Sequence, residues 1–317
     1  MGFRRKIHQN LRKLLLGGTD LPQACEISLD HPQAEINVRL FGMGLDRDVT
    51  NSHSVACAAP FMFCIGLKCS EAAELTIGGY FTLQFRETQN QGKILGVIKL
   101  ELQTILPVES YWIGLFRSVE CQNYCIPRYR LLAHQIFLRY YQRKNGRRAD
   151  EMRVSTLDSQ CNAVTFICPR PIVVVCVVDG IRGNIFPMSL LGDLGDNYFA
   201  FALNCERRAA PLVARVRRLT LSTVPQNKSS IVRELGKNHH RDSISWDDVP
   251  FTLQHSNRLE VAFPEFAIRI WELQVLEALP LGSHTFFLAK TIRETTNMSG
   301  QEIHWIHGFY AAHRDPH

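Results

Sequence analysis

The sequence lacks any hydrophobic run long enough to cross a membrane as a helix. Its longest apolar runs contain about seven or eight residues, whereas a bilayer-spanning helix needs roughly 20. No small-residue cleavage site follows the N-terminus, so no secretory signal is predicted. Of the 317 residues, 45% are apolar and 21% are charged, which is typical of a globular chain with one or two domains. We therefore predict a cytoplasmic protein without a transmembrane segment.

The chain also lacks C-x2-C pairs, the spacing that structural zinc sites favour, although it contains ten cysteines. Cys121 and Cys125, in CQNYC, come closest. We interpret them as two reduced thiols in a connecting segment, with a redox pair or half of a metal site as the alternative. The adjacent histidines His239 and His240 would point to opposite sides of an extended segment, so no metal site is predicted.

Two segments lack acidic residues, 1–16 and 127–148, and both place apolar residues at helical spacing. We interpret the first as a basic amphipathic helix docked on its own protein, with a membrane surface or a partner as the alternative. The second is predicted to be a helix whose apolar stripe faces the core. No nucleic-acid motif accompanies its arginines, so no nucleic-acid partner is predicted. The stripe consists of Tyr129, Leu132, Ala133, Ile136, Phe137 and Tyr140.

The remaining pattern between Cys25 and Leu106 is that of short antiparallel strands separated by turn residues. The predicted strands are CEISL, AEINVRLFG, FMFCIGL, GYFTLQFRE and KILGVIKLELQTIL. The polar segment NGRRADE, residues 145–151, is predicted to be a linker. We therefore divide the chain into a β-rich region, 1–150, with basic helices, and a second domain, 151–317.

The second domain is also predicted to be mainly β, with a few inserted helices. IVVVCVV, residues 172–178, does not alternate, as expected of a strand buried on both faces, and Asp179-Gly180 turns it. Pro187 cannot donate to a ladder, so its strand is placed at an edge or bulge. Pro211 suits the first turn of a helix, and a bulge is expected near Trp271-Glu272. Adjacent strands with few helical crossings favour a barrel over a doubly wound sheet.

Nucleotide-binding and hydrolase motifs are absent from this β pattern. No G-x-G-x-x-G follows a strand, and neither G-x-x-x-x-G-K, G-x-S-x-G nor H-E-x-x-H occurs. A nucleotide cofactor is therefore not expected to bind in a Rossmann or P-loop manner.

The order of several short segments carries a family resemblance instead. DG is followed by RGNIFPMSLLG, by a strand ending in ALN, and then by LSTVP, LGKNHHRD, LGSHTFFLAKTIRE and HGFY. Together these segments, over about residues 165 to 312, resemble the flavin reductase-like family. The resemblance implies an FMN-binding split β-barrel.

The resemblance also implies the residues of a flavin site. The flavin ring edge would be lined by Asn184, Pro187, Met188, Ser189 and Leu190. Where family members continue S-L-N-P-R-R-H-T, this chain has Ala202-Leu203-Asn204-Cys205-Glu206-Arg207-Arg208-Ala209. Leu203, Asn204, Arg207 and Arg208 would then hold the ribityl chain and phosphate, but Ala202 and Ala209 lack the usual hydroxyls.

Two further family motifs are altered in this chain. The segment matching S-G-R-D is His239-His240-Arg241-Asp242, and Lys237, Asn238, His239 and Arg241 would supply phosphate contacts. The motif G-D-H appears as Gly282-Ser283-His284, which lacks the aspartate. His284 is the implied catalytic residue, facing the flavin where nicotinamide binds.

The function that the resemblance implies is flavin reduction by NAD(P)H in a homodimer. FMN is the implied cofactor, with FAD as a possibility, and hydride passes from the nicotinamide to the flavin. One alternative is a flavin- or haem-dependent enzyme that acts on a particular metabolite, with the first 150 residues forming a substrate pocket. Another is a non-catalytic flavin-binding protein.

Overall fold

The computed structural model describes residues 24–30, 35–89, 92–109, 111–144 and 154–315. The basic helix predicted over residues 1–16 and the linker predicted over 145–151 lie outside these ranges. The described part is mainly β, as predicted. No helix in it is long and apolar enough to cross a membrane.

The strands of the first half are β1 (Ala24–Leu29), β2 (Ile36–Gly42), β3 (Leu45–Asp48), β4 (His53–Ala58), β5 (Phe61–Lys68), β6 (Tyr80–Glu87), β7 (Ile94–Val108) and β8 (Tyr111–Asn123). Those of the second half are β9 (Arg170–Pro171), β10 (Val173–Asp179), β11 (Arg182–Met188), β12 (Leu191–Gly195), β13 (Tyr198–Asn204), β14 (Arg218–Thr223), β15 (Leu253–His255), β16 (Ala262–Pro264), β17 (Arg269–Leu281), β18 (His284–Thr296) and β19 (Glu302–His307). The α-helices are α1 (Cys69–Ala72), α2 (Arg128–Lys144), α3 (Thr156–Thr165), α4 (Ala209–Val216), α5 (Ser229–Leu235) and α6 (Gly308–Arg314). Short 3-10 helices span Gln226–Lys228, Gly236–His240 and Trp246–Asp248.

The second half forms an antiparallel sheet with the strand order β11-β10-β14-β17-β18-β13-β12. Only Ser189 and Leu190 separate β11 from β12, so the chain joins the two ends of the sheet and the sheet rolls into a split barrel. All seven strands contribute apolar side chains to one core, which α4 covers. We call this unit the second barrel.

Several sequence predictions are confirmed in the second barrel. β10 lies between two strands and is buried on both faces, because its alternate residues enter different cores. Pro187 lies on β11, an end strand of the sheet. Pro211 is in the first turn of α4, and the register between β17 and β18 shifts after Glu272.

The first half forms a second sheet of the same kind, with the order β3-β2-β6-β7-β8-β5-β4. The seven strands of this sheet, taken in chain order, are β2 to β8, and those of the second barrel are β10, β11, β12, β13, β14, β17 and β18. When the strands are matched in this chain order, the two sheets have the same strand order. The β4–β5 ladder shifts between Val55 and Cys57, and the β12–β13 ladder shifts at the matching place, between Asp193 and Gly195. We call this unit the first barrel; the two halves of the chain therefore repeat one topology.

The two barrels differ most in the connection between their fifth and sixth matching strands. Residues 88–93 connect β6 directly to β7, whereas residues 224–268 connect β14 to β17. The longer connection contains α5, the 3-10 helices and the β15–β16 hairpin, and it closes one face of the second barrel.

A shared apolar core joins the barrels, and its members occupy matching positions. The β5–β8 and β13–β18 ladders end at the pairs Lys68–Tyr111 and Asn204–His284, which sets the alignment between the barrels. In this alignment five core residues of the first barrel match five of the second. They are Ala56, Met62, Cys64, Ile113 and Leu115, matching Leu194, Tyr198, Ala200, Phe286 and Leu288.

Elements from the end of the chain complete the first barrel. β1 pairs with β19 along its whole length, from Ala24–His307 to Leu29–Glu302. Side chains of α3, β19 and α6, including Val164, Ile306 and Phe309, pack into the core of the first barrel. The first barrel therefore depends on residues far from it in sequence.

The structure corrects two sequence interpretations. Three members of the α2 stripe do not face the core, because Tyr129, Leu132 and Ile136 are 70%, 58% and 64% exposed, whereas Ala133 is buried. Cys121 lies in β8 and not in a connecting segment; contact with the Cys161 thiol and burial raise its pKa.

Candidate functional site

The end of the β13–β18 ladder brings two of the predicted site residues together. Asn204 and His284 are directly paired across the two strands. The Asn204 side chain accepts a hydrogen bond from the backbone N–H of Glu206 at 2.8 Å, which fixes the turn that follows β13. Arg207 lies in that turn, half-buried and without an ion-pair partner in the described part of the chain. Arg208, next to it, is exposed and lies 3.7 Å from Asp242.

The 3-10 helix Gly236–His240 docks on β11 through side-chain hydrogen bonds. The Asn184 amide donates to the carbonyl oxygens of Asn238, at 3.1 Å, and Arg241, at 2.9 Å. Asn238 in turn donates to the carbonyl of Ile185 at 2.8 Å, and His239 Nε2 bonds the carbonyl of Pro187 at the same distance. These bonds place the LGKNHHRD segment beside the β11 edge.

Burial and the charge of Arg207 together determine which side chains of this site are charged. Burial, followed by the charge of Arg207, lowers the pKa of both His239 and His284 to about 4. Burial also lowers the pKa of Arg207 itself. At neutral pH the two imidazoles are therefore uncharged and Arg207 carries the positive charge, so the site suits an anionic group.

Three buried acceptor atoms of the site have no hydrogen-bond partner in the described part of the protein. They are Asn184 Oδ1, Asn238 Oδ1 and His239 Nδ1. The last is an acceptor because the other ring nitrogen of neutral His239 donates to Pro187. Buried acceptors without donors are rare in folded proteins, so they point to a ligand that carries N–H or O–H groups.

His284 is held by a hydrogen-bond chain that begins in the first barrel. The backbone N–H of Ala59 donates to Ser283 Oγ at 3.1 Å, and Ser283 Oγ lies 2.8 Å from His284 Nδ1. Because Ser283 accepts from Ala59, its hydroxyl hydrogen is free to reach Nδ1. This arrangement favours the neutral tautomer that presents Nε2–H as a donor. Sequence reasoning missed this role of Ser283, which stands where the family has aspartate.

Other predicted residues lie apart from this group. The side chains of Met188 and Leu203 are buried in the barrel core. Ser189 and Leu190 line a narrow void beside Arg170, between the two barrels. Lys237 is exposed on the 3-10 helix.

Arg170 marks a buried polar contact between the barrels that no sequence pattern indicated. Its guanidinium is buried and lies 2.6 Å from Nε2 of His53, whose Nδ1 is 2.6 Å from the carbonyl of Val49. Burial and the charge of Arg170 lower the pKa of His53 to about 3. His53 is therefore neutral and accepts from Arg170.

A cleft of about 730 Å3 opens on the other side of the Ala59 loop. Ala58 and Phe61 form one wall, and residues of β8, α2, α3 and the start of α6 form the rest. Its polar lining includes His134, Asp158 and His307. No group of three or more metal-ligating side chains occurs in the described ranges.

Residues 166–312 match the model of the flavin reductase like domain. The second barrel is a flavin reductase-like domain. The match contains every predicted site residue and ends within α6. No curated protein sequence matches the chain.

Several solved structures are similar to part of this chain. An FMN-binding protein from Thermus thermophilus is 25% identical, over 40% of this chain and 72% of its own, with a TM-score of 0.36. The NADH:FAD oxidoreductase of Streptomyces globisporus is 14% identical, over 51% and 96%, with a TM-score of 0.42. The styrene monooxygenase flavin reductase of Pseudomonas putida is 14% identical, over 46% and 92%, with a TM-score of 0.38.

Proposed function

We propose that the flavin reductase-like domain binds FMN, or FAD, and reduces it with NAD(P)H. The observation that carries this proposal is the convergence of Arg207, His239 and His284 at one end of the barrel, with Asn184 and Asn238 beside them. A cytoplasmic location and a domain boundary near residue 150 stay predictions.

The residues of the site fit a flavin phosphate and its polyhydroxyl chain. Arg207 supplies a guanidinium that has no carboxylate partner in the described residues, and such a group can bind phosphate through two hydrogen bonds. The unpartnered acceptors on Asn184, Asn238 and His239 suit hydroxyl or imide donors. Arg208, which lies 3.7 Å from Asp242, and the exposed Arg241 are the cations that would compensate for the missing hydroxyls at Ala202 and Ala209.

The protein's own contribution is to bind, orient and present one hydrogen-bond donor. A bound flavin supplies the redox chemistry, because it accepts a hydride from a reduced nicotinamide. His284 stays neutral above about pH 4, so its Nε2–H can donate to a ligand without adding charge. Ser283 fixes the imidazole, and Ala59 fixes Ser283.

A titration of the purified protein with FMN, followed by absorption spectroscopy, tests the proposal. We expect flavin bands on binding and bleaching of those bands by NADH or NADPH. Haem bands, or no binding of FMN or FAD, would overturn the proposal. Binding without bleaching by either nucleotide would indicate a non-catalytic flavin-binding protein.

The cleft beside the Ala59 loop favours a second candidate, a flavin-dependent enzyme that acts on a particular metabolite. The loop lines the cleft through Ala58 and Phe61 and bonds Ser283 through Ala59, so one segment contacts both the cleft and the Ser283–His284 turn. Under this candidate, reduced flavin would be consumed by the metabolite and free FMN would not turn over. Steady-state reduction of excess FMN by NAD(P)H would therefore exclude it.

A further inference from the structure

We propose that the first barrel takes the place of a second subunit, so that one chain is a complete pair of barrels with a single flavin site. Where the family resemblance implies a homodimer, this chain already contains two units of the same strand order. The pairing of the two barrels within one chain is argued from the structure alone, whereas the single flavin site rests on the proposed function.

The contact between the barrels has the character of a twofold interface. In such an interface the same patch of each unit is used, and residues near the axis meet their own counterparts. Ser54 and Gly192 are counterparts by ladder register, and they touch: a Cβ added to Gly192 would lie 3.0 Å from that of Ser54. The shared core is built from matching residues of the two barrels.

The proposed flavin site is incomplete without the first barrel. Ser283 exchanges two hydrogen bonds with Ala59, donating through its backbone N–H at 2.9 Å and accepting through Oγ at 3.1 Å. The Cys57 thiol donates to the carbonyl of Leu281 at 2.8 Å. The Ser283–His284 turn is therefore positioned by a loop that belongs to the first barrel.

The place in the first barrel that matches the proposed flavin site holds an ion pair where the second barrel has the unpaired Arg207. Tyr111 matches His284 by ladder register, and Glu71, three residues beyond Lys68, matches Arg207. Arg47 fills this place, forming an ion pair with Glu71 at 2.5 Å and donating to the carbonyl of Gly66 at 2.8 Å.

Two further differences make this part of the first barrel unsuitable for binding a flavin. The Tyr111 hydroxyl is used in a hydrogen bond of 2.6 Å to the carbonyl of Leu194. The direct connection over residues 88–93 has no room for a counterpart of the segment that holds Asn238 and His239. A phosphate would therefore find the arginine of this place, Arg47, already paired with Glu71, and would lack the second wall of the site.

The experiment uses the full chain and measures two quantities, its mass in solution and the number of FMN molecules bound. Light scattering should give the mass of one chain, 36.2 kDa, at micromolar concentration and on tenfold dilution. Titration with FMN should reach saturation at one FMN per chain.

Two variants at matching positions test which barrel binds FMN. Arg207→Ala should weaken FMN binding about tenfold or more, because it removes a charged hydrogen-bond donor. Glu71→Gln, the control, keeps hydrogen-bonding groups beside Arg47 and should leave FMN affinity and stoichiometry unchanged.

A two-chain particle, a second FMN per chain, or equal weakening by both variants would overturn the inference. If the parent chain binds no FMN at all, the proposed function falls and the single-flavin part falls with it. The mass then decides the pairing: one chain supports the internal pair, and two chains overturn it.

Discussion

The two barrels share a strand order but not a site, and the comparison separates what a fold requires from what a function requires. Both keep seven strands, a bulge in the matching ladder, and a left-handed residue before the last strand, Glu109 with φ 51° and Gly282 with φ 53°. Only the second barrel has the long connection and the uncompensated Arg207. Strand pairing and a filled core maintain the topology, whereas a few residues decide the chemistry.

The largest expected effect comes from removing the first barrel. Residues 152–317 alone should aggregate or lose their cooperative thermal transition, because the apolar core between the barrels would face water at about 25 cal/mol per Å2. Solubility and circular dichroism melting measure this. A soluble fragment that melts like the full chain and binds FMN equally well would show that the barrels are independent.

A smaller effect is expected from crowding the contact between the barrels. Gly66→Ala would place a Cβ 1.9 Å from the carbonyl oxygen of Leu194, so the barrels must shift, and we expect a loss of about 1–3 kcal/mol in the free energy of unfolding. Gly236→Ala is the matched control, since its Cβ would meet nothing within 4 Å and its φ is −55°. Urea denaturation of both variants measures the difference; equal stabilities would argue against a tight interface.

Variants of the His284 turn should separate turnover from binding. His284→Ala is expected to slow flavin reduction about tenfold while changing FMN affinity less, because the residue presents a donor and does not hold the phosphate. Ser283→Ala should slow it about fivefold, the value of one hydrogen bond of about 1 kcal/mol. Tyr111→Phe, at the position that matches His284, is the control. Stopped-flow bleaching by NADH gives the rates, and unchanged rates in the first two variants would remove His284 from the mechanism.

The smallest effect concerns pH. His239 and His284 have pKa values of about 4 in the folded protein and an ordinary value of 6.5 when unfolded, so the unfolded chain binds more protons between these values. Their contribution to stability is thus complete above about pH 6.5 and is lost as the pH falls towards 4. Arg207→Gln should raise both pKa values, because it removes a nearby positive charge. NMR titration of the imidazole protons measures this, and unchanged values would show that Arg207 does not act on them.

The sequence predicted the second barrel well because local signals agreed with the fold. The unbroken run in β10, the proline on β11 and the proline in α4 each have one simple structural reading. The first barrel was recognised as β-rich, but β3, β4 and β8 were missed. β4, HSVACA, is composed mostly of small and polar residues; Val55 packs in the first barrel's own core, and Ala56 and Cys57 pack in the core shared with the second barrel.

The site was predicted in part, because motif positions carry over while contacts between distant segments do not. The order of segments gave Asn204, Arg207, His239 and His284. The role of Ala59 depends on a contact with a residue more than 200 positions away, Ser283, which no local pattern encodes. The helix α2 was misread for the same reason, since spacing gives the apolar stripe but not which face the protein covers.

The pairing of β1 with β19 has a consequence for synthesis on the ribosome. β1 emerges more than 250 residues before β19, its ladder partner in the described chain, and before Ile306 and Phe309 of the first barrel's core. The first barrel must therefore wait, with part of its core uncovered, until β19 and α6 have been made. We expect the nascent chain to depend on chaperones during that interval.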